Sequence, residues 1–144
     1  MSDAAKVALV TGGNRGIGLA IAKELAAQGV KVIIGHRSGS APSGFESVLI
    51  DVSDTKSVDS AVSEIDAKHG GVDVLIANAG ITKDGLVMRM SDDDFESVVN
   101  TNLTGAFRVA RATSKNMIKK REGRDRKSTR LNSSHLGISY AVFC

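Results

Sequence analysis

Cysteine occurs once in the 144-residue chain, as the final residue Cys144, which leaves no internal disulfide and no cysteine cluster for a metal. Proline also occurs once and tryptophan not at all, and aromatics make up only 3% of the residues, so the core has to be built from aliphatic side chains. With 42% hydrophobic and 24% charged residues, the composition is that of a folded α/β chain rather than a disordered one. Nowhere do about 18 apolar residues follow one another, as a membrane span requires. The start MSDAAKVALV has neither the basic residues nor the apolar run of a secretory signal. A cytoplasmic protein with no membrane partner and no metal is expected. The net charge of +3 is too small a surplus to argue for a nucleic-acid partner.

What is present is a regular alternation within a length that suits one domain. VALV (Val7 to Val10) reads as a buried strand, TGGNRGIG as a glycine turn, and Ile17, Ala20, Ile21, Glu24, Leu25 and Gln28 keep helical spacing up to Gly29. VKVII (Val30 to Ile34) is a second strand, closed by the loop GHRSGSAPSG, and SVLI (Ser47 to Ile50) a third. Ser53 or Asp54 can cap a helix with Val58, Ala61, Val62 and Ile65 on one face, ended by Gly70 and Gly71. VDVLIA (Val72 to Ala77) is a fourth strand. Ser91 with three acids behind it opens a further helix, and a longer one follows with Leu103, Ala106, Phe107, Ala110 and Met117 on one side. Near-continuous Val/Ile/Leu strands separated by helices predict a parallel sheet covered on both faces.

The turn TGGNRGIG between strand and helix is the pattern that brings backbone N–H groups and the positive end of a helix to a pyrophosphate. Gly12 permits the turn, Gly16 the approach of phosphate and Gly18 the contact of helix with strand. Asn14, Arg15 and Ile17 share that loop as candidate cofactor-binding residues. An acid after the second strand would hold the ribose of NAD, but the sequence reads Gly35, His36, Arg37. Arg15 and Arg37 can instead pair a 2′-phosphate, which points to NADPH, although both also read as solvated surface arginines. Asp51 after the third strand can accept from an adenine amino group, with Val52 donating from its backbone; a turn or capping Asp explains it equally well. Asn78, Ala79 and Gly80 follow the fourth strand, at the edge where ligands of such sheets lie.

Taken in order, TGGNRGIG (Thr11 to Gly18), Asp51–Val52, Asn78 to Gly80 and NLTG (Asn102 to Gly105) resemble the short-chain dehydrogenase/reductase family. Within it, VTGGNRGIG, GHR, NAGITKDGLVMRM and NTNLTGAFRVAR look most like 3-oxoacyl-[acyl-carrier-protein] reductases of the actinobacterial type. Ala77 departs from the pattern, since many relatives carry an Asn there. The resemblance implies a Rossmann-type doubly wound sheet with strands in spatial order 3-2-1-4, here truncated after the fourth strand and long central helix, and NADPH-dependent reduction of a 3-oxoacyl thioester. It implies that Asn102 is a catalytic residue that kinks the helix and holds a water for proton relay. It also implies a homotetrameric parent and an acyl carrier protein partner, which Arg121 and the bases from Arg108 to Arg124 would contact; a solvated helix face is the alternative.

The rest of the family's catalytic set, a Ser followed by YxxxK, is not found. Tyr140 is followed four residues later by Cys144, no lysine occurs after Lys127, and Ser133 and Ser134 lie too near Tyr140. Without that pair no group protonates the alkoxide formed by hydride transfer, so this chain is expected to be inactive. DRKSTRLNSSH (Asp125 to His135) can be encoded by a DNA stretch that resembles a sequencing-library adapter, and ISYAVFC fits its continuation; a genuine divergent C-terminus is the alternative. Residues 1–124 therefore read as the N-terminal part of a Rossmann domain and 125–144 as a non-native tail. Ile138, Tyr140, Val142 and Phe143 alternate imperfectly, and no genuine fifth strand is expected from them.

Overall fold

The computed structural model describes residues 4–124 and 141–143. Strands β1 (Val7–Thr11), β2 (Lys31–His36), β3 (Glu46–Leu49) and β4 (Val74–Ala77) form a parallel sheet in the predicted order β3-β2-β1-β4. Helix α1 (Gly16–Ala27) carries the chain from β1 to β2 and α2 (Thr55–His69) from β3 to β4. Between β2 and β3 residues 37–45 make the crossover without a helix. β2 runs on to His36, past the Gly35 at which a loop was predicted. The parallel register continues there, Gly35 opposite both Thr11 and Val48 and His36 opposite Leu49, and outweighs the local turn tendency of Gly.

Side-chain alternation sends the strand residues to two separate cores. Leu9, Ile33 and Leu75 pack with Val58, Ala61, Val62 and Ile65 of α2 and with Val109 and Met117 of the long helix. Ala8, Val10, Val32, Ile34 and Ile76 face the other way, against Ala22, Leu19 and Leu25 of α1. Burying each Val, Leu or Ile contributes about 1.5–3 kcal/mol, so both faces hold the sheet in place.

Asp54 caps α2 by accepting from Lys56 N, and Gly70 ends it in the left-handed region. Ser91 caps α3 (Asp92–Val99), its hydroxyl accepting from Asp94 N. A single turn of π-helix, Asn100–Thr104, joins α3 to α4 (Gly105–Arg124) as one interrupted rod. Two expectations change here. Leu103 and Phe107 are 70% and 57% exposed, because the four-residue stripe Gly105, Val109, Thr113, Met117 takes the sheet side and turns them outward. A short fifth strand, β5 (Ala141–Phe143), pairs in parallel with β4 where none was expected. The open edge of β4 presents unpaired N–H and C=O groups, which three extended residues satisfy whatever their origin. Tyr140, Ser133, Ser134 and residues 125–140 generally lie outside the described residues, as does the side chain of Arg121.

Candidate functional site

The ends of β1, β2, β3 and β4 open on one edge of the sheet, and β1, with β2 on one side and β4 on the other, is the point where the strand order reverses. A cleft of about 560 Å³ lies there. Its floor and walls include Gly12, Asn14, Arg15, Gly16 and Ile17 from the glycine turn, Arg37 after β2, Asp51 and Val52 after β3, and Asn78, Ala79 and Gly80 after β4. Eleven of the predicted cofactor residues thus surround one space; Gly18 and Asn102 stand behind it.

The turn is shaped for an anion. Arg15 occupies the cap position of α1 in an extended conformation, and no side chain caps the helix. The N–H groups of Asn14, Arg15, Gly16 and Ile17 have no backbone partner among the described residues, whereas those of Gly12 and Gly13 are tied to Gly35 O. An uncapped helix start leaves orphan donors that a phosphate can satisfy. Gly16 has a φ of 58° and open space where a Cβ would stand. Gly18 is different: a Cβ there would collide with the Gly12 carbonyl oxygen and come within 2.5 Å of Asn78 Nδ2. Its close contact is with the turn and the β4 end rather than with the body of a strand, as the sequence had suggested.

Thr11, almost completely buried, is the joint between the two central strands. Its hydroxyl oxygen accepts from Asn78 N and Ala79 N, both at 3.1 Å, while Asn78 Nδ2 donates to Gly12 O at 3.1 Å. The loop after β4 is thereby locked to the glycine turn. In the sequence Thr11 stands only as the first residue of the glycine motif; a hydroxyl at the end of an otherwise apolar strand is the signal that could have found it. Ala77, the departure from the family pattern, is buried in the core beneath the cleft.

Asn102 does not line the cleft but secures its rim. Its Oδ1 accepts from Ile81 N at 2.8 Å and its Nδ2 donates to Ile81 O at 2.9 Å, so the π-turn of the long helix holds the segment after Gly80 by two bonds. Arg108, assigned by sequence to the basic patch, is drawn inward. Its guanidinium donates to Val52 O, Asn100 O and Asn100 Oδ1, and its Nε to Thr55 Oγ1. Those bonds clamp the loop after β3 to the long helix. Charge patterning alone gives no sign of such burial.

Asp51 serves its own turn first. Oδ1 accepts from Ser53 N at 3.0 Å and Ser53 Oγ at 2.6 Å, and the Ser53 hydroxyl holds the carboxyl below the usual carboxylate range against the opposing effect of burial. Arg37 and Arg108 add to the lowering. Oδ2 of Asp51 and the N–H of Val52 have no partner among the described residues, which leaves an acceptor and a donor side by side at the cleft. Among the described residues no group of three or more His, Cys, Asp or Glu could hold a metal, and no helix is long and apolar enough to cross a membrane.

Comparison with known proteins gives the same frame. The family model described as short chain dehydrogenase matches residues 6–124. The 3-oxoacyl-[acyl-carrier-protein] reductase MabA of Mycobacterium avium is 53% identical over 116 residues, covering 81% of this chain and 46% of the reductase. The 3-oxoacyl-[acyl-carrier-protein] reductase FabG of Escherichia coli is 42% identical over 132 residues, covering 86% of this chain and 54% of FabG. Among solved structures, the ligand-free aldohexose dehydrogenase of Thermoplasma acidophilum superposes with a TM-score of 0.76 at 30% identity, over 80% of this chain and 45% of that one. The chain spans about half the length of the curated relatives it matches. A glycine turn facing an uncapped helix, a parallel sheet reversing at β1, and a family match over residues 6–124 together place the chain in the short chain dehydrogenase family.

Proposed function

We propose that this chain is the nucleotide-holding half of an NADPH-dependent reductase that converts 3-oxoacyl-[acyl-carrier-protein] to the 3-hydroxyacyl form in fatty acid biosynthesis. The observation that carries the cofactor assignment is the cleft itself: uncapped N–H groups at the start of α1, with Arg15 and Arg37 on its walls and no acid at the end of β2. Orphan amide donors suit a pyrophosphate, and two guanidinium forks suit a 2′-phosphate, whereas a ribose diol would call for a carboxylate. Asp51 Oδ2 and Val52 N offer the acceptor and donor an adenine edge needs. Bound there, the cofactor would supply the hydride; the chain's own residues bind it, orient it and keep the loop after β4 against the glycine turn.

Asn102 is the catalytic-set member in this half. Its side chain anchors Ile81, and its place in the π-turn sets the direction of the helix that a proton relay would follow. The substrate class rests on the identities of 53% and 42% to proteins named as 3-oxoacyl-[acyl-carrier-protein] reductases. Arg121 and the neighbouring bases would then face the acidic carrier, and the intact enzyme would be a cytoplasmic homotetramer. A second reading, a dehydrogenase of a small alcohol or sugar, is favoured by the fit to the aldohexose dehydrogenase, but at only 30% identity.

The test is to extend the chain with the coding sequence that follows residue 124 in its source gene and assay the product. A YxxxK segment, faster oxidation of NADPH than of NADH, and preference for an acylated carrier over aldohexoses are the expected results. Turnover of sugars with no activity on the carrier thioester would establish the second reading, and absence of YxxxK would leave a nucleotide-binding module without catalysis. The 144-residue chain itself is expected to bind nucleotide and turn nothing over.

A further inference from the structure

The segment that leaves the cleft after Gly80 is held at its start and then released into solvent. Ile81 is bonded twice to Asn102, but residues 82–89 are all exposed, and no regular structure begins until the short helical turn Val87–Arg89. Asp84 and Gly85 lie in the middle of that stretch, the one place in the sequence where glycine directly follows aspartate. Neither the Asp84 carboxyl nor the Gly85 N–H has a hydrogen-bond or ion-pair partner among the described residues. Nothing stands within 4 Å of where a Gly85 Cβ would be. Most other aspartates are restrained. Asp51 and Asp54 accept within their own turns, Asp73 takes Val7 N and Lys120 Nζ, and Asp94 pairs Lys83 at 3.6 Å. Asp59 and Asp66 stand inside α2, where the following N–H belongs to the helix.

We propose that Asp84–Gly85 is a site of spontaneous main-chain isomerisation, at which the loop leaving the cleft converts to an isoaspartyl form. The Gly85 nitrogen attacks Asp84 Cγ and a C–N bond forms; the nitrogen's proton and the carboxyl hydroxyl depart as water, which leaves a cyclic imide. Water then adds to one of the two imide carbonyls. Breaking the new C–N bond restores aspartate, whereas breaking the original peptide bond leaves the main chain running through Cβ and Cγ. Nothing is oxidised or reduced, and the water released is the water returned. Ring closure needs the amide of residue 85 to swing toward the side chain before it, which a residue without Cβ, in open space and with a free N–H, permits. The product has an extra main-chain atom between Lys83 and Gly85. Ile81 on Asn102 and Arg89 N on Leu86 O, 2.8 Å, lie on either side of the altered bonds. The fold therefore survives while the loop lengthens, and the Lys83–Asp94 pair is the contact that loosens.

The test ages the 144-residue chain in warm, mildly acidic buffer, unaltered and as Gly85→Ala and Asp84→Glu. Peptides containing residue 84 are separated by chromatography and fragmented by electron transfer, which breaks an isoaspartyl main chain between Cα and Cβ. The unaltered chain should yield a second species of unchanged mass, together with a trace that has lost one water. Gly85→Ala should form it severalfold more slowly, because a Cβ hinders the swing. Asp84→Glu, which would have to close a larger ring, should form none. Peptides containing Asp54 or Asp73 from the same digest should remain single. The chain unfolded in urea supplies the rate without any fold, and folding should slow Asp84 only slightly while it protects Asp54 and Asp73 strongly. Absence of the second species at residue 84 in the folded chain overturns the proposal. So does equal ageing at Asp54 or Asp73, or a Gly85→Ala chain that ages as fast as the unaltered one.

Discussion

Replacing Gly18 by alanine should damage the fold and the nucleotide site together. The added methyl would meet the Gly12 carbonyl oxygen and sit 2.5 Å from Asn78 Nδ2 and 3.0 Å from Gly12 C, and the first and last of these are main-chain atoms that no rotamer change can move aside. Either α1 must retreat or the turn must open. Forcing a methyl into such a space costs about 1–3 kcal/mol, and losing the bond from Asn78 Nδ2 to Gly12 O adds about 1 kcal/mol. A loss of about 2–4 kcal/mol follows, which lowers a urea midpoint by about 1 M or more at the slopes usual for small domains. The N–H groups of residues 14 to 17 move with the helix start, so affinity for adenosine 2′,5′-bisphosphate should fall at least tenfold. Gly16→Ala is the control. Nothing stands within 4 Å of its Cβ, so only the strain of φ 58°, about 1–2 kcal/mol, enters its stability, while the methyl projects toward the phosphate. Circular dichroism in urea with parallel calorimetry reads both. A Gly18→Ala chain with the wild-type midpoint and wild-type affinity would refute the steric account of this motif.

Asn102→Ala removes both bonds to Ile81 and should cost about 1–2 kcal/mol; exchange of the Ile81 amide is expected to accelerate about tenfold, and Asn102→Asp, which sets a carboxylate against Ile81 O, should be no better. Arg108→Ala should lose about 2–3 kcal/mol in urea unfolding, with little rescue by Lys, because one ammonium cannot serve Val52 O and Asn100 Oδ1 together. A Lys variant with the wild-type urea midpoint would contradict the clamp. Glu46 accepts from His69 Nε2 at 2.8 Å and pairs Lys31 at 3.2 Å, and the His69 hydrogen bond foremost holds its carboxyl below the ordinary 4.5. A lowered carboxyl stabilises the fold above the unfolded value and loses that contribution as pH falls through the folded one. Stability should therefore decline below about pH 4.5 more steeply in the wild type than in Glu46→Gln; parallel pH profiles of the two would count against the pairing.

Periodicity and turn chemistry alone carried most of the architecture. Val7 to Val10, the glycine turn and the spacing from Ile17 to Gln28 can be little else than strand, turn and helix, and runs of Val and Ile too apolar for a one-sided sheet require helices on both faces. The residues around the cleft were legible for the same reason, since each follows the end of a strand and parallel strands bring their ends to one edge. What the chain of letters does not encode locally is which groups meet across it. Arg108 read as one base of a surface patch, and Asn102 as a helix-kinking residue with no named partner, until the π-turn brings one to Val52 and Asn100 and the other to Ile81. Leu103 and Phe107 fit an apolar stripe by spacing, and only the packing of Gly105, Val109, Thr113 and Met117 turned them outward. Local sequence determines period and turn; partners separated by tens of residues are decided by tertiary packing, because they are contacts in space rather than intervals along the chain.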